Sequence, residues 1–150
     1  MLGISTDCMG FGLGLRGGKT LENHIYIGGS LVYHFTNCGY GYGGTTVLGN
    51  YSTSGSVFYL GPEGGYDFDI NPIVLRVYMG LGPWFLNYSY SGPGINVSGS
   101  SSQFVVWPGA SVFWSIPSSD WFIGGDVRFV SAPAGPAVGF FFTGGLHFGS

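Results

Sequence analysis

Charge is what this sequence has least of. Asp, Glu, Lys and Arg make up 7% of its 150 residues, where a soluble domain carries about a quarter. Most of any surface it forms is therefore uncharged, and something other than water is expected to cover part of it. The net charge is −3 and the four basic residues are scattered, which leaves no electrostatic footprint for nucleic acid. Long apolar runs are missing as well: glycines and polar residues interrupt each one well short of the ~20 residues that a membrane-crossing helix needs. The opening MLGISTDCMG lacks the cationic start and apolar run of a secretory leader, so export would rest on a leader outside this sequence. Two cysteines, Cys8 and Cys38, are too few to decide a redox compartment by count.

What the chain has instead is glycine, 30 residues of it, aromatic side chains at 18% and a mean hydropathy of +0.31. The glycine-rich GFGLGLRGGKT contains a literal G-x-G-x-x-G and ends in Gly-Lys-Thr. A dinucleotide site would need a strand before it, a helix after it and an acid about twenty residues on, and Leu13 occupies the position where a phosphate loop would need glycine. Here Met9, Phe11, Leu13 and Leu15 alternate with Gly10, Gly12, Gly14 and Arg16, which is the period of a strand. The glycines form one face of that strand.

The same period recurs. Segments at Ile25 to Phe35, Ser56 to Asp67, Pro72 to Tyr88, Gln103 to Ile116, Trp121 to Val130 and Val138 to Phe148 each alternate, giving seven recognisable strands and no helix in a single domain over 1–150. Short connections (KTLEN, DFDIN, PSSD) interleave with longer ones (TNCGYGYGGTTVLGNYSTSG, YSGPGINVSGSS, SAPAGPA). All short turns thus fall at one end and all long loops at the other, the asymmetry of an up-and-down antiparallel transmembrane β-barrel.

Sidedness follows from the ionic groups. Arg16, Glu63, Arg76, Asp126 and Arg128 fall on one face of their strands, with Asp67 at a strand end, and the opposite face is aliphatic and aromatic with no charge. A soluble ligand-binding barrel would place these faces the other way round. A Lys or Arg on a lipid face costs about 2 to 4 kcal/mol at mid-bilayer, so the uncharged row is expected to meet hydrocarbon and the charged row to form a network in the lumen. A tight DFDIN turn centred on Asp69 and Ile70 would set Glu63 opposite Arg76, and PSSD would set Asp126 opposite Ser111. Glu63, Arg76 and Asp126 are then expected as one layer, with Arg128 and Arg16 nearer its two ends.

These stretches, FGLGLRGG, IYIGGSLVYHF, YLGPEGGYDF with IVLRVYMGLG, FIGGDVRF and FFFTGGLHF, resemble the small outer-membrane β-barrels of Gram-negative bacteria, porin-like proteins that include the transmembrane domain of outer membrane protein A. The resemblance covers nearly the whole chain. It implies an outer-membrane location, outer-membrane lipid or detergent around the barrel, and barrel-assembly machinery as a partner during biogenesis. It also implies an assembly signal in the last strand, at Phe140, Phe142, Leu146 and Phe148. Such barrels use an even number of strands, so eight are expected, with MLGIST as the remnant of a first strand or that strand lacking. A turn over Leu21 to Asn23 would bring Cys8 opposite Thr36, so Cys8 and Cys38 are read as a rim disulfide or as two free thiols.

No cofactor is implied. His24, His34 and His147 are dispersed and suggest hydrogen bonding at the rim or in the lumen in place of a metal site. No nucleophile has a base beside it in the pattern, so an enzyme is not expected. The expected role is structural or surface-interacting, through neutral outer loops that would contact a surface ligand, with a side-chain-filled lumen. A narrow channel for water, ions or small solutes is the alternative, and a soluble or fibrous glycine-rich β protein the third reading.

Overall fold

A computed structural model describes residues 1–6, 9–36, 52–92, 95–132 and 135–146. Eight strands follow one another: β1 (Leu2–Ser5), β2 (Gly10–Thr20), β3 (Ile25–Thr36), β4 (Ser52–Ile70), β5 (Ile73–Gly92), β6 (Ile95–Ser115), β7 (Trp121–Ala132) and β8 (Gly135–Leu146). Each is antiparallel to its neighbour in sequence, and β1 pairs with β8 to close the barrel. The eighth strand is thus β1, present and not lacking. Its four residues, Leu2 opposite Leu13 on one side and Phe142 on the other, are too few to show an alternation of their own.

Closure removes the edges that hydrocarbon could not satisfy. The rows then separate as alternation requires. Leu13, Leu15, Leu31, Val77, Leu81, Val127 and Phe140 point outward and are exposed, while Val32, Tyr59, Trp107, Val130 and Phe141 are buried in the lumen. The outer row is uncharged along the strands with one correction: β2 extends to Thr20, and Lys19, opposite Ile27, lies on the outward row at the short-turn end. Aromatic residues bracket the outward band. Phe58 and Phe68 on β4 are ten residues apart, which at about 3.3 Å per residue and a tilt near 40° is roughly 25 Å, the height of a lipid-facing apolar belt.

Two turns differ from the expected centres. In the first, the Leu21 amide donates to the Ile25 carbonyl and the His24 amide to the Leu21 carbonyl. The tip is therefore Glu22–His24, one residue later than Leu21 to Asn23, and the count that set Cys8 opposite Thr36 no longer applies. His24 takes a positive φ of 63° there. Cys8 and Cys38 lie outside the described residues. In the second, Ile70 faces Ile73 around Asn71 and Pro72, two residues later than the DFDIN centre. Glu63 consequently faces Gly80, and Arg76 faces Asp67.

The strands also differ in height. The stretch YSGPGINVSGSS, expected as a loop, is mostly ladder: β5 and β6 stay paired up to Gly92 opposite Ile95. Ser, Asn and Gly have weak strand preference of their own, and paired neighbours override it. A wall of β4, β5 and β6 therefore rises above the level where β1, β2, β7 and β8 end.

Candidate functional site

The lumen is filled in layers, and glycine makes room for each. An eight-stranded barrel leaves space for side chains and little more. Trp107 on β6 fits because Gly80 and Gly61 face it, and Tyr78 on β5 because Gly109 does; a Cβ at any of the three would run into the ring.

Four ionic groups form the central layer. Arg16 from β2 reaches Glu63 on β4 (Nε to Oε2, 2.8 Å) and Asp126 on β7 (Nη1 to Oδ2, 2.9 Å). Arg128 Nε donates to Asp126 Oδ1 at 2.8 Å, and its Nη1 lies 3.9 Å from Glu63 Oε1. Two cations and two anions balance, with Glu63, Asp126 and Arg128 buried and the Arg16 side chain 8% exposed. Neutral donors complete the carboxylates: Ser30 Oγ (2.6 Å) and Trp107 Nε1 (2.9 Å) donate to Glu63, while Ser111 Oγ (2.6 Å) and the Tyr78 hydroxyl (2.8 Å) donate to Asp126. The Arg16 guanidinium also sits 4.2 Å from the centre of the Tyr78 ring. Burial of charge is tolerated only with partners of this kind.

Arg76 is not in that layer. It lies nearer the short-turn end, where its Nε and Nη2 hold both oxygens of Asp67 at 2.7 and 2.8 Å, the two-point geometry that guanidinium and carboxylate favour. Thr20 Oγ1 donates to Asp67 at 2.7 Å, and the Tyr26 ring lies 3.4 Å from the Arg76 guanidinium carbon. Arg16 and Arg128, expected nearer the two ends of the layer, are at its centre. Below Arg76 the first turn is fastened to β4: the Asp67 amide donates to the His24 carbonyl, and His24 Nδ1 stands 3.1 Å from Asp69 Oδ2 at the exposed rim.

On the other side of the ionic layer the lumen is aromatic and aliphatic. His34, Tyr59, Trp107 and Phe141 stack or meet edge to face at 5.1 to 5.8 Å, beneath Val57, Val105, Val130, Ala137 and Met9. Sequence reading missed Trp107, Tyr78 and Ser30 as members of the ionic site. Their signal was parity, since each falls on the charged row of its strand.

Above the aromatic girdle stands the β4–β6 wall. Its exposed side chains include Ser54, Asn87, Tyr88, Ser89, Asn96, Val97, Ser98, Ser100, Ser101, Ser102 and Gln103, with Ser56 and Leu86 half-buried, and none of them is ionic. β6 is paired with β7 only from Gly109, opposite Arg128, toward the short turn. Pro108 has no amide to donate, and above it Ser131 Oγ bridges to the Val106 amide and carbonyl, each at 3.1 Å. Among the described residues, the remaining upper edge of β6 has no ladder partner on that side. In β8, Phe140, Phe142 and Leu146 are on the outward row, and Phe148 lies outside the described residues.

No protein-family model matches the chain, and no curated protein matches it in sequence. Solved structures do match in fold. The attachment invasion locus protein Ail of Yersinia pestis, in complex with the heparin analogue sucrose octasulfate, is similar with a TM-score of 0.60 at 19% identity, over 92% of this chain and 82% of that one. A second crystal structure of Ail gives a TM-score of 0.57 at 18% identity, over 90% of this chain and 80% of that one. The chain therefore has the fold of a small eight-stranded, up-and-down transmembrane β-barrel.

Proposed function

We propose that this chain is a bacterial outer-membrane barrel that does not conduct and that displays the β4–β6 wall to the outside as a contact surface. The outward row supports the membrane assignment. Exposed Leu, Ile, Val and Phe side chains around the whole barrel would be intolerable in water and are at home in hydrocarbon. Short turns of such barrels face the periplasm and longer segments face outward, which points the wall away from the cell. No catalytic step belongs to this role, and the partners in biogenesis are the assembly machinery and lipid.

The observation that carries the reading is the raised wall on a filled lumen. Strand material well above the lipid belt adds nothing to spanning, and a lumen closed by four ionic groups and a stack of rings leaves the wall as the accessible part. Ail holds a polysulfated sugar in one of its structures. Here the cations are Arg16, Arg76 and Arg128 in the lumen and Lys19 at the opposite end, so the wall offers nothing to a polyanion.

The test replaces residues 87–100 by an Asn-Gly turn, which joins Leu86 to its cross-strand partner Ser101. Cells displaying the shortened barrel are compared with cells displaying the full one, at matched amounts in the outer membrane, for adherence to epithelial monolayers and to one another. Loss of adherence with unchanged heat-modifiable migration supports the reading; equal adherence overturns it.

A further inference from the structure

Among the described side chains of the wall there is one aromatic ring, that of Tyr88, and its surroundings are specific. Tyr88 belongs to the row of β5 that continues the lumen face, and the ladders put Gly55 on β4 and Gly99 on β6 at its level. Its ring lies across Gly99, where a Cβ would collide with the hydroxyl and Cζ. No side chain on either neighbouring strand covers it at that level, and 44% of the residue stays exposed. On the same row, Leu86 lies below it, and Ser101 and Gln103 of β6 stand beside Leu86 and Trp84. The arrangement is a flat ring at the middle of three strands with glycine on both sides at its level, and the Ser101 hydroxyl and then the Gln103 amide follow along the same face toward the membrane.

The charge around it selects among ligands. An aromatic face attracts cations, but cation sites add acids or further rings, and anion sites need Lys, Arg or a helix end. In the whole sequence, the lumen accounts for three arginines and three acids, and the short-turn end for Lys19, Glu22, Asp69 and Asp120. Asp7 is the single ionic residue in a connection at the wall's end of the barrel. A neutral, flat, hydroxyl-bearing ligand fits such a surface.

We propose that Tyr88 is the platform of a binding site for an uncharged carbohydrate. One pyranose face stacks on the ring, and hydroxyls of that unit and of the next one along the wall pair with Ser101 and Gln103. The proposal rests on the outward orientation of the wall given above and names the class of partner. A peptide strand adding to the upper edge of β6 would engage backbone groups along that edge and leave the Tyr88 ring untouched.

The experiment uses the full chain refolded in phosphatidylcholine vesicles, titrated with maltoheptaose, cellohexaose, chitohexaose and heparin and read by saturation-transfer NMR and calorimetry. At least one neutral oligosaccharide binds, and its Kd changes less than about twofold between roughly 50 and 500 mM salt, because no ion pair is screened. Tyr88→Ala weakens it about tenfold or more, the loss of a stacking contact. Gly99→Val does the same by lifting the ring, and Tyr88→Trp retains binding, which separates loss of the platform from loss of the fold. Absence of binding to all three neutral sugars, binding of heparin alone, or neutral binding that survives Tyr88→Ala overturns the proposal. If adherence still depends on the wall and none of the sugars competes with it, the contact surface stands and the carbohydrate assignment falls.

Discussion

At the scale of single residues, the lumen sets the largest energies. Asp126 accepts from Arg16, Arg128, Ser111 and Tyr78. Asp126→Asn leaves two buried guanidinium groups sharing Glu63, and we expect a loss of about 3 to 5 kcal/mol, measured by urea unfolding of the vesicle-embedded barrel. Arg76→Ala removes a pair nearer the rim, where water can solvate the Asp67 left behind, and the loss is expected to be smaller in the same assay. On the opposite row Val77→Arg is expected to cost about 2 to 4 kcal/mol in vesicles; a neutral result there would contradict a lipid-facing surface. The faces of Arg16, Glu63, Arg76 and Asp126 were legible because strand alternation is local. Of their partners, Ser111 opposite Asp126 was legible from the PSSD turn; the ionic ones were not. Moving a turn centre by two residues leaves every side chain on its face while shifting its cross-strand partner by four, which is how Arg76 came to face Asp67 in place of Glu63.

At the scale of elements, the wall decides more than the lumen does about what another molecule can touch. Val106 turns its amide and carbonyl toward β7, so the even-numbered amides of β6 above it face the open edge and the odd-numbered ones face β5. Hydrogen exchange is expected to be fast at Ser98, Ser100, Ser102 and Phe104 and slow at Val97, Gly99, Ser101 and Gln103. Uniform protection along the strand would mean that the edge is covered. The seven longer strands were legible from period two, with ends that missed wherever Ser, Asn and Gly carried the ladder onward. A run such as NVSGSSSQ has no apolar alternation, because above the membrane neither face meets hydrocarbon and nothing selects apolar residues for either row. β1 was illegible for another reason: four residues supply one period-two repeat, and only pairing with both β2 and β8 defines it as a strand.

At the scale of the whole molecule, conduction is the property on which the layers act together. The wild-type barrel is expected to show no openings in planar bilayers. Arg76→Ala alone leaves the Arg16–Glu63–Asp126–Arg128 layer and the Trp107, Tyr59 and His34 stack in place, so it too is expected to stay closed. Removing both barriers, as in a Glu63→Ala, Trp107→Ala double variant that still migrates as a folded barrel, is expected to admit small ions; openings in the wild type would replace the contact-surface reading with a channel. By itself the sequence determined the architecture and its sidedness: a two-residue period, scarce charge confined to one row and alternating turn lengths leave an antiparallel barrel with its polar row inside. The tertiary structure alone decided the ionic partners, the two-part plug and the height of the wall. Closure brings strands that are far apart in sequence, β2 and β7 among them, across a lumen only side chains wide. That distance depends on the stagger of the entire ring, a quantity no local pattern encodes.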